Sequence, residues 1–262
     1  MKVIIIIPAY NEEKSIGNVI DQCRKHFFGQ IVVINDGSTD GTKHIARKQG
    51  VKVISHTKNC GLGAATRTGL QHAFEMGADV AIKIDADGQH SAKDIMNVFN
   101  PIQYNEADVV FGSRFMGGLQ YKMPLYRSIG NRFFTWLVRM MTGLKITDGQ
   151  TGLMAFHRRY LRQFSIISDY NETQQLIIDA YIKRMRVMEV PVVFNKRTTG
   201  KSFISLKYPF KVLPILLRLL VLTSPLKIFI PLGIIFICMK HYSHGLFMLV
   251  AGVITDAIVK KK

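Results

Sequence analysis

Asp85 and Asp87 stand one residue apart in the run Asp85-Ala86-Asp87-Gly88-Gln89-His90, the stretch of this chain best suited to chemistry. The preceding residues 79–84 are largely apolar and β-rich, and they read as a buried strand. Carboxylates at alternate positions of a strand end point the same way along the pleat, so the two can share one ligand. Gly88 lets the backbone turn sharply behind them. Gln89 and His90 add neutral oxygen and nitrogen donors. Hard oxygen donors suit Mg²⁺ or Mn²⁺, and Mg²⁺ is commonly held by one or two carboxylates plus substrate phosphates. The plainer alternative is an Asp-Gly turn leaving a strand, with two solvated acids.

Elements upstream must carry other groups to the same place. Residues 3–7, 31–34 and 51–54 are apolar runs rich in β-branched residues, and each is expected to be a strand. Between them, Asn11 is a candidate N-cap for a helix carrying Ile16, Val19, Ile20 and Cys23, and 42–49 is a second short helix. The turn Asn59-Cys60-Gly61-Leu62-Gly63 opens a third helix, which Gly77 closes as a C′ glycine. Such alternation predicts βαβ units and an α/β fold with a mainly parallel, Rossmann-like sheet. Ligands of these sheets bind beyond the carboxyl ends of the strands. Tyr10, Asp36 and Asp87 each follow a strand within a few residues, so they are predicted to converge on one crevice.

Residues 108–111 are a further strand, followed by Gly112-Ser113-Arg114-Phe115. A glycine-containing loop leads to a basic helix over 124–142, where Arg127 and Asn131 sit four apart on one face. Residues 147–152 form a polar turn before an apolar segment, 187–194 read as a strand, and 195–202 as a basic loop.

The 262 residues, 48% of them hydrophobic, are enough for one large α/β domain and an appendage. A net charge of +17 calls for an anionic partner. No nucleic-acid-binding signature accompanies that charge, so phosphorylated substrates and acidic membrane surfaces are the expected partners and nucleic acid is not. The 3 scattered cysteines predict no disulfide framework and fit a reducing compartment.

Composition shifts after Ser202. Lys207, Lys211 and Arg218 fall on one face of an otherwise apolar stretch, which Pro209 and Pro214 would kink. A basic amphipathic segment of this kind suits a membrane interface. The apolar runs 228–239 and 246–259, parted by Lys240-His241-Tyr242-Ser243-His244, predict a transmembrane helical hairpin. Lys211, Arg218, Lys227 and Lys260 to Lys262 share one end of it, which places that end and the sheet domain on the cytoplasmic side of a cell or endoplasmic-reticulum-type membrane. The expected division is therefore 1–202, 203–223 and 224–262.

The ordered set Pro8-Ala9-Tyr10-Asn11-Glu12, Asp36-Gly37-Ser38-Thr39-Asp40-Gly41-Thr42, Asn59 to Gly63, Asp85 to His90 and Gly112 to Phe115 resembles family-two glycosyltransferases. These have the GT-A nucleotide-sugar fold, and the nearest branch is dolichol-phosphate mannose synthase with related polyprenyl-phosphate glycosyltransferases. The resemblance implies an inverting, membrane-anchored enzyme. It would move a hexose from a nucleotide-diphosphate sugar (GDP-mannose or a UDP-sugar) to dolichyl or polyprenyl phosphate. It implies that Pro8, Tyr10, Glu12, Asp36, Asp85, Ala86 and Asp87 line the donor pocket, and that Asp85, Asp87 and Gln89 hold Mg²⁺ or Mn²⁺ on the diphosphate. Arg114, Arg127 and Arg197 would contact the phosphates of donor and acceptor beside Asn131 and Ser202. The chain departs from the family pattern at Asn35, often aspartate, and after Ser202, where Phe203 replaces a lysine and Lys201 is the nearest substitute. Two alternatives are a family-two enzyme acting on a hydroxyl acceptor, with Asp148 or Glu172 as base, and a non-catalytic nucleotide-sugar-binding membrane protein.

Overall fold

The computed structural model describes residues 1–117, 123–169, 171–196, 214, 217–221 and 225–260. They fall into two compact units, Met1–Phe203 and Ile204–Lys262.

The isoleucine-rich N-terminal run becomes β1 (Val3–Ala9), buried along its whole length. It pairs in parallel with β2 (Gln30–Asn35) on one side and β4 (Val80–Lys83) on the other, and β2 pairs in parallel with β3 (Lys52–Ser55). The sheet continues through β6 (Met154–His157) and β5 (Val109–Ser113) to β7 (Val187–Pro191), in the order β3-β2-β1-β4-β6-β5-β7. β6 runs antiparallel to both its neighbours, and the other strands share one direction. It is the segment the sequence leaves as merely apolar: four residues carry no signature of strand direction. Parallel strands buried on both faces need continuous apolar runs, which is why the opening strands are legible in the sequence.

Helices cover both faces. Ile5 and Ile7 belong to a core shared with Ile16 and Ile20 of α1 (Ile16–His26) and with Ile95, Val98 and Ile102 of α4 (Ile95–Gln103). Ile6, one residue out of phase, lies instead against α3 (Leu62–Glu75), the period-two alternation of a strand. α2 (Thr42–Lys48) follows β2. Later come α5 (Arg114–Gly117), α6 (Leu125–Thr142), α7 (Arg158–Leu161) and α8 (Glu172–Ile182). Gly77 takes the expected left-handed conformation after α3, with φ +75°. The expected N-cap at Asn11 is corrected: α1 begins at Ile16, and the Asn11 side chain instead accepts a hydrogen bond from the Thr39 N–H at 2.9 Å.

In the second unit the helices Leu226–Cys238 and Tyr242–Lys260 pack antiparallel, with Gly233 against Leu249 and Gly245 against Ile237. A Cβ at position 245 would lie 2.5 Å from Ile237 Cγ1, so glycine is what lets the two helices approach. Of the expected hairpin, Tyr242–Val259 is long and apolar enough to cross a membrane. The 13 residues of Leu226–Cys238 rise only about 20 Å, short of the ~30 Å hydrocarbon core, and Lys227 and Lys240 bound them closely. The amphipathic segment expected over 203–223 lies outside the described residues except for 214 and 217–221, as do Arg197, Lys201 and Ser202.

Candidate active site

β4 delivers a buried cation to the carboxyl end of the sheet. Lys83 lies between Ile6 and Met154 in the strand register and is fully buried. Its Nζ lies 2.5 Å from Asp85 Oδ1 and 3.3 Å from Glu172 Oε1, at the first turn of α8. Burial alone would favour the neutral amine, but the two carboxylates outweigh it and raise the Lys83 pKa. Burial likewise pushes Glu172 up, against the pull of Lys83. The signal for Lys83 was present in the sequence as one charge inside a continuous apolar strand, a position lysine occupies only when paired.

The Gly152 backbone packs closely against Asp85 on a second side. A Cβ at Gly152 would lie 2.0 Å from Asp85 Oδ2 and 2.9 Å from His90 Nε2. The Gly152 N–H donates to that Nε2 at 3.0 Å, so the ring nitrogen on that side is an acceptor. Burial pushes the His90 pKa down to about 4, which keeps the ring neutral. His90 also meets the Phe194 ring edge-on, with centroids 4.9 Å apart. The expectation that His90 is a metal donor is therefore corrected: Nε2 positions the 152 backbone. We expect Gly152→Ala to displace Asp85 and cut turnover at least tenfold while the sheet still folds. Parallel activity and circular-dichroism measurements check this; unchanged turnover would show that the cradle is not needed.

Asp87 turns the chain away from the strand. Its Oδ1 accepts the Gln89 N–H at 3.0 Å, and Gly88 takes φ +72° to permit the turn. Gln89 donates its Nε2 to Asn195 O at 3.0 Å and accepts the Asn195 N–H on its carbonyl at 2.8 Å. Its side-chain oxygen is then the atom it has to offer a cation. Two partly exposed carboxylates and one amide oxygen are hard donors of the kind that Mg²⁺ or Mn²⁺ takes.

A second cluster forms around Asp148, which is fully buried. Arg114 meets it as a two-pronged fork, Nε to Oδ2 at 2.6 Å and Nη2 to Oδ1 at 2.8 Å. Asn131 adds Nδ2 to Oδ1 at 3.2 Å, and its own Oδ1 accepts the Thr135 hydroxyl at 3.0 Å. Burial would raise the Asp148 pKa, but Arg114 and these hydrogen bonds hold it below the usual carboxylate value. Arg114 and Asn131, expected as phosphate contacts, are both buried and both engage Asp148. Asp148 is equally poorly placed to be a free base. The Arg114 guanidinium lies 4.9 Å over the Phe194 ring, which also packs against His90, so Phe194 joins the two clusters.

The remaining expected residues divide by exposure. Tyr10, Asp85, Asp87, Gln89 and Arg127 are partly exposed. Pro8, Glu12, Asp36 and Ala86 are buried. Asp36 accepts the N–H groups of Cys60 at 2.9 Å and Gly61 at 2.8 Å, and pairs with His56 Nδ1 at 2.7 Å. His56 Nε2 lies 2.9 Å from the Thr68 hydroxyl. Asp36, His56 and Cys60 could bring three ligand atoms within 4.8 Å of one another, but the first two are engaged in fixing the entrance to α3. Glu12 accepts the Ser15 hydroxyl at 2.9 Å beside the start of α1. Asp36 and Glu12 thus brace the loops that follow β2 and β1. Arg127 sits in the first turn of α6, one turn before Asn131.

The sequence model described as Glycosyl transferase family 2 matches residues 4–165. UDP-N-acetylglucosamine--dolichyl-phosphate N-acetylglucosaminyltransferase of Methanococcus voltae is 36% identical over 72% of this chain and 84% of its own length. Undecaprenyl-phosphate mannosyltransferase of Micrococcus luteus is 30% identical over 78% of this chain and 88% of its own. Among solved structures, glucosyl-3-phosphoglycerate synthase of Mycobacterium tuberculosis in complex with UDP superimposes with a TM-score of 0.66 at 20% identity. That match covers 84% of this chain and 80% of the other, and it shows a shared fold.

Proposed function

The chain belongs to glycosyltransferase family 2, and from that premise we propose that it transfers a hexose from a nucleotide-diphosphate sugar to a dolichyl or polyprenyl phosphate at a membrane. The observation that carries the acceptor is the relative from Methanococcus voltae, whose name specifies a UDP-sugar and dolichyl phosphate. In this reading residues 1–202 are catalytic and 203–262 attach the chain to the membrane, with the catalytic unit cytoplasmic.

Asp85, Asp87 and the Gln89 side-chain oxygen would hold Mg²⁺ or Mn²⁺ against the donor diphosphate. When bound, such an ion offsets the charge that builds on the leaving oxygens. Lys83 and the Gly152 backbone fix Asp85, so little rearrangement is needed when the donor arrives. Tyr10, partly exposed just beyond the carboxyl end of β1, would meet the nucleotide. Arg127, with Arg197 and Ser202 from the basic loop, would receive the acceptor phosphate. A phosphate monoester is already anionic at neutral pH and needs no base to become a nucleophile. That suits a site whose two candidate bases are each held in an ion pair, Asp148 by Arg114 and Glu172 by Lys83. The hydroxyl-acceptor alternative requires one of those pairs to open.

The test is transfer from a panel of radiolabelled nucleotide sugars to polyprenyl phosphate and, in parallel, to the dephosphorylated polyprenol. Label is expected in the phosphate product alone. Arg127→Lys should raise the acceptor KM about tenfold, because an ammonium cannot reproduce the guanidinium fork, with donor binding retained. Equal transfer to the alcohol, or unchanged acceptor kinetics in Arg127→Lys, would overturn the assignment.

A further inference from the structure

The ion-pair network at the end of β4 puts charge where the fold has no need of it. Lys83 follows Val80, Ala81 and Ile82 in a strand that is buried throughout. Its Nζ lies 2.5 Å from Asp85 Oδ1 and 3.3 Å from Glu172 Oε1. The Lys83 and Glu172 side chains are 0% and 7% exposed, whereas Asp85 keeps 28% of its side chain open to solvent. Buried ion pairs are seldom more stabilising than apolar side chains of the same volume, so stability gives no reason for this one. The first turn of α8 is also pinned beside the site. Thr173 Oγ1 donates to Thr151 O at 2.9 Å, and the next residue, Gly152, packs against Asp85. Among the described residues the ion pair of Glu172 is with Lys83 alone.

An ammonium beside a carboxylate that has to hold a cation works against that task. It offsets the carboxylate's charge and repels a second positive charge at short range. We propose that Glu172 is a positioning residue: by sharing the Lys83 ammonium, it leaves Asp85 the negative charge with which a divalent cation is held. The inference rests on the reading of Asp85 and Asp87 as metal ligands. Lys83 orients Asp85 at the end of β4, and Glu172 keeps that grip from becoming neutralisation. Charge counting gives the consequence. Asp85, Asp87 and Glu172 against Lys83 are three carboxylates and one ammonium, a net charge of −2. Glu172→Gln halves that charge and gives Lys83 wholly to Asp85. Adding Lys83→Met restores it, with an unbranched apolar side chain in the register position between Ile6 and Met154.

The test is Mn²⁺ binding by the full chain in detergent, read from the electron paramagnetic resonance of free Mn²⁺ with no donor or acceptor present. Glu172→Gln should weaken binding about tenfold with the circular-dichroism spectrum unchanged. Glu172→Asp, which keeps the charge on a shorter arm, should fall between. Lys83→Met combined with Glu172→Gln should return the affinity to within about threefold of the unaltered protein. A role confined to folding predicts the reverse order, because the double variant removes more of the buried network. In turnover, Glu172→Gln should need about tenfold more Mn²⁺ for its half-maximal rate, and saturating Mn²⁺ should make the loss good. Binding unchanged in Glu172→Gln but weakened in Asp87→Ala would overturn this proposal and leave the metal assignment standing. Binding that neither substitution alters would overturn both. A double variant as weak as Glu172→Gln would also overturn the proposal. So would a loss of turnover that saturating Mn²⁺ does not restore, which would return Glu172 to the role of base in the hydroxyl-acceptor alternative.

Discussion

Asp87→Ala is expected to lower sugar transfer by at least about 10²–10³-fold, the loss typical of removing one preorganised charge-stabilising group. Its melting temperature should stay within a few degrees of the wild type. The asymmetry follows from where Asp87 sits. The side chain is partly exposed at the tip of a turn, and the Gln89 N–H it accepts at 3.0 Å can turn to water instead. Asp87 lies in the turn beyond β4 and not in a strand, whereas a diphosphate-bound cation would lose one of two carboxylates. Isothermal titration of Mn²⁺ with the donor present gives a reading apart from turnover, and binding should weaken in parallel with activity. Full activity of the variant in a chelating buffer would sink the metal assignment.

Arg114→Ala should have the opposite profile, a loss of about 3–5 kcal/mol in stability, because removing one partner of a buried ion pair strands the other charge. Asp148 is fully buried, and its carboxylate would keep only hydrogen bonds such as those from Asn131 at 3.2 Å and the Gln150 N–H at 3.1 Å. Replacing Asp148 as well, by an apolar residue of similar volume, should recover much of the loss. The pair also sets a pH dependence. The Asp148 carboxyl is held below its usual value, so its stabilising contribution is present above the unfolded value near pH ~4 and fades as acid takes the pH below that. Thermal melts of wild type, single and double variants at neutral pH and in mild acid check both points. An Arg114→Ala protein that melts with the wild type but no longer binds donor would return Arg114 to the phosphate-contacting role the sequence suggested.

The sequence by itself determined the elements whose cause is local. Continuous β-branched runs fold as β1, β2 and β3, Gly77 closes α3, and the Asp85 to Gln89 run turns at Gly88 at the end of β4. The order of its motifs was enough to assign the family, since each lies at or after the carboxyl end of one of the strands that share a direction, at the same edge of the sheet. Partnership was left to the tertiary structure. Arg114 and Asp148 are 34 residues apart, Lys83 and Glu172 are 89 apart, and nothing in either local sequence names the other. From sequence alone an arginine after a glycine-serine pair reads as a phosphate contact; only the fold shows a buried carboxylate opposite it. α8 was invisible to periodicity for the same reason. Its first residues are buried on every side, and its polar groups are satisfied from afar, Gln175 by the Ile167 and Ser168 N–H groups and Asp179 by the Tyr160 hydroxyl. β6 took its direction from the two strands that flank it. Hydrophobic period and turn chemistry act within a few residues and can be read along the chain. Ion pairs, cradles and exposed faces depend on which distant segment arrives opposite, and that is fixed only when the sheet and its helices close around them.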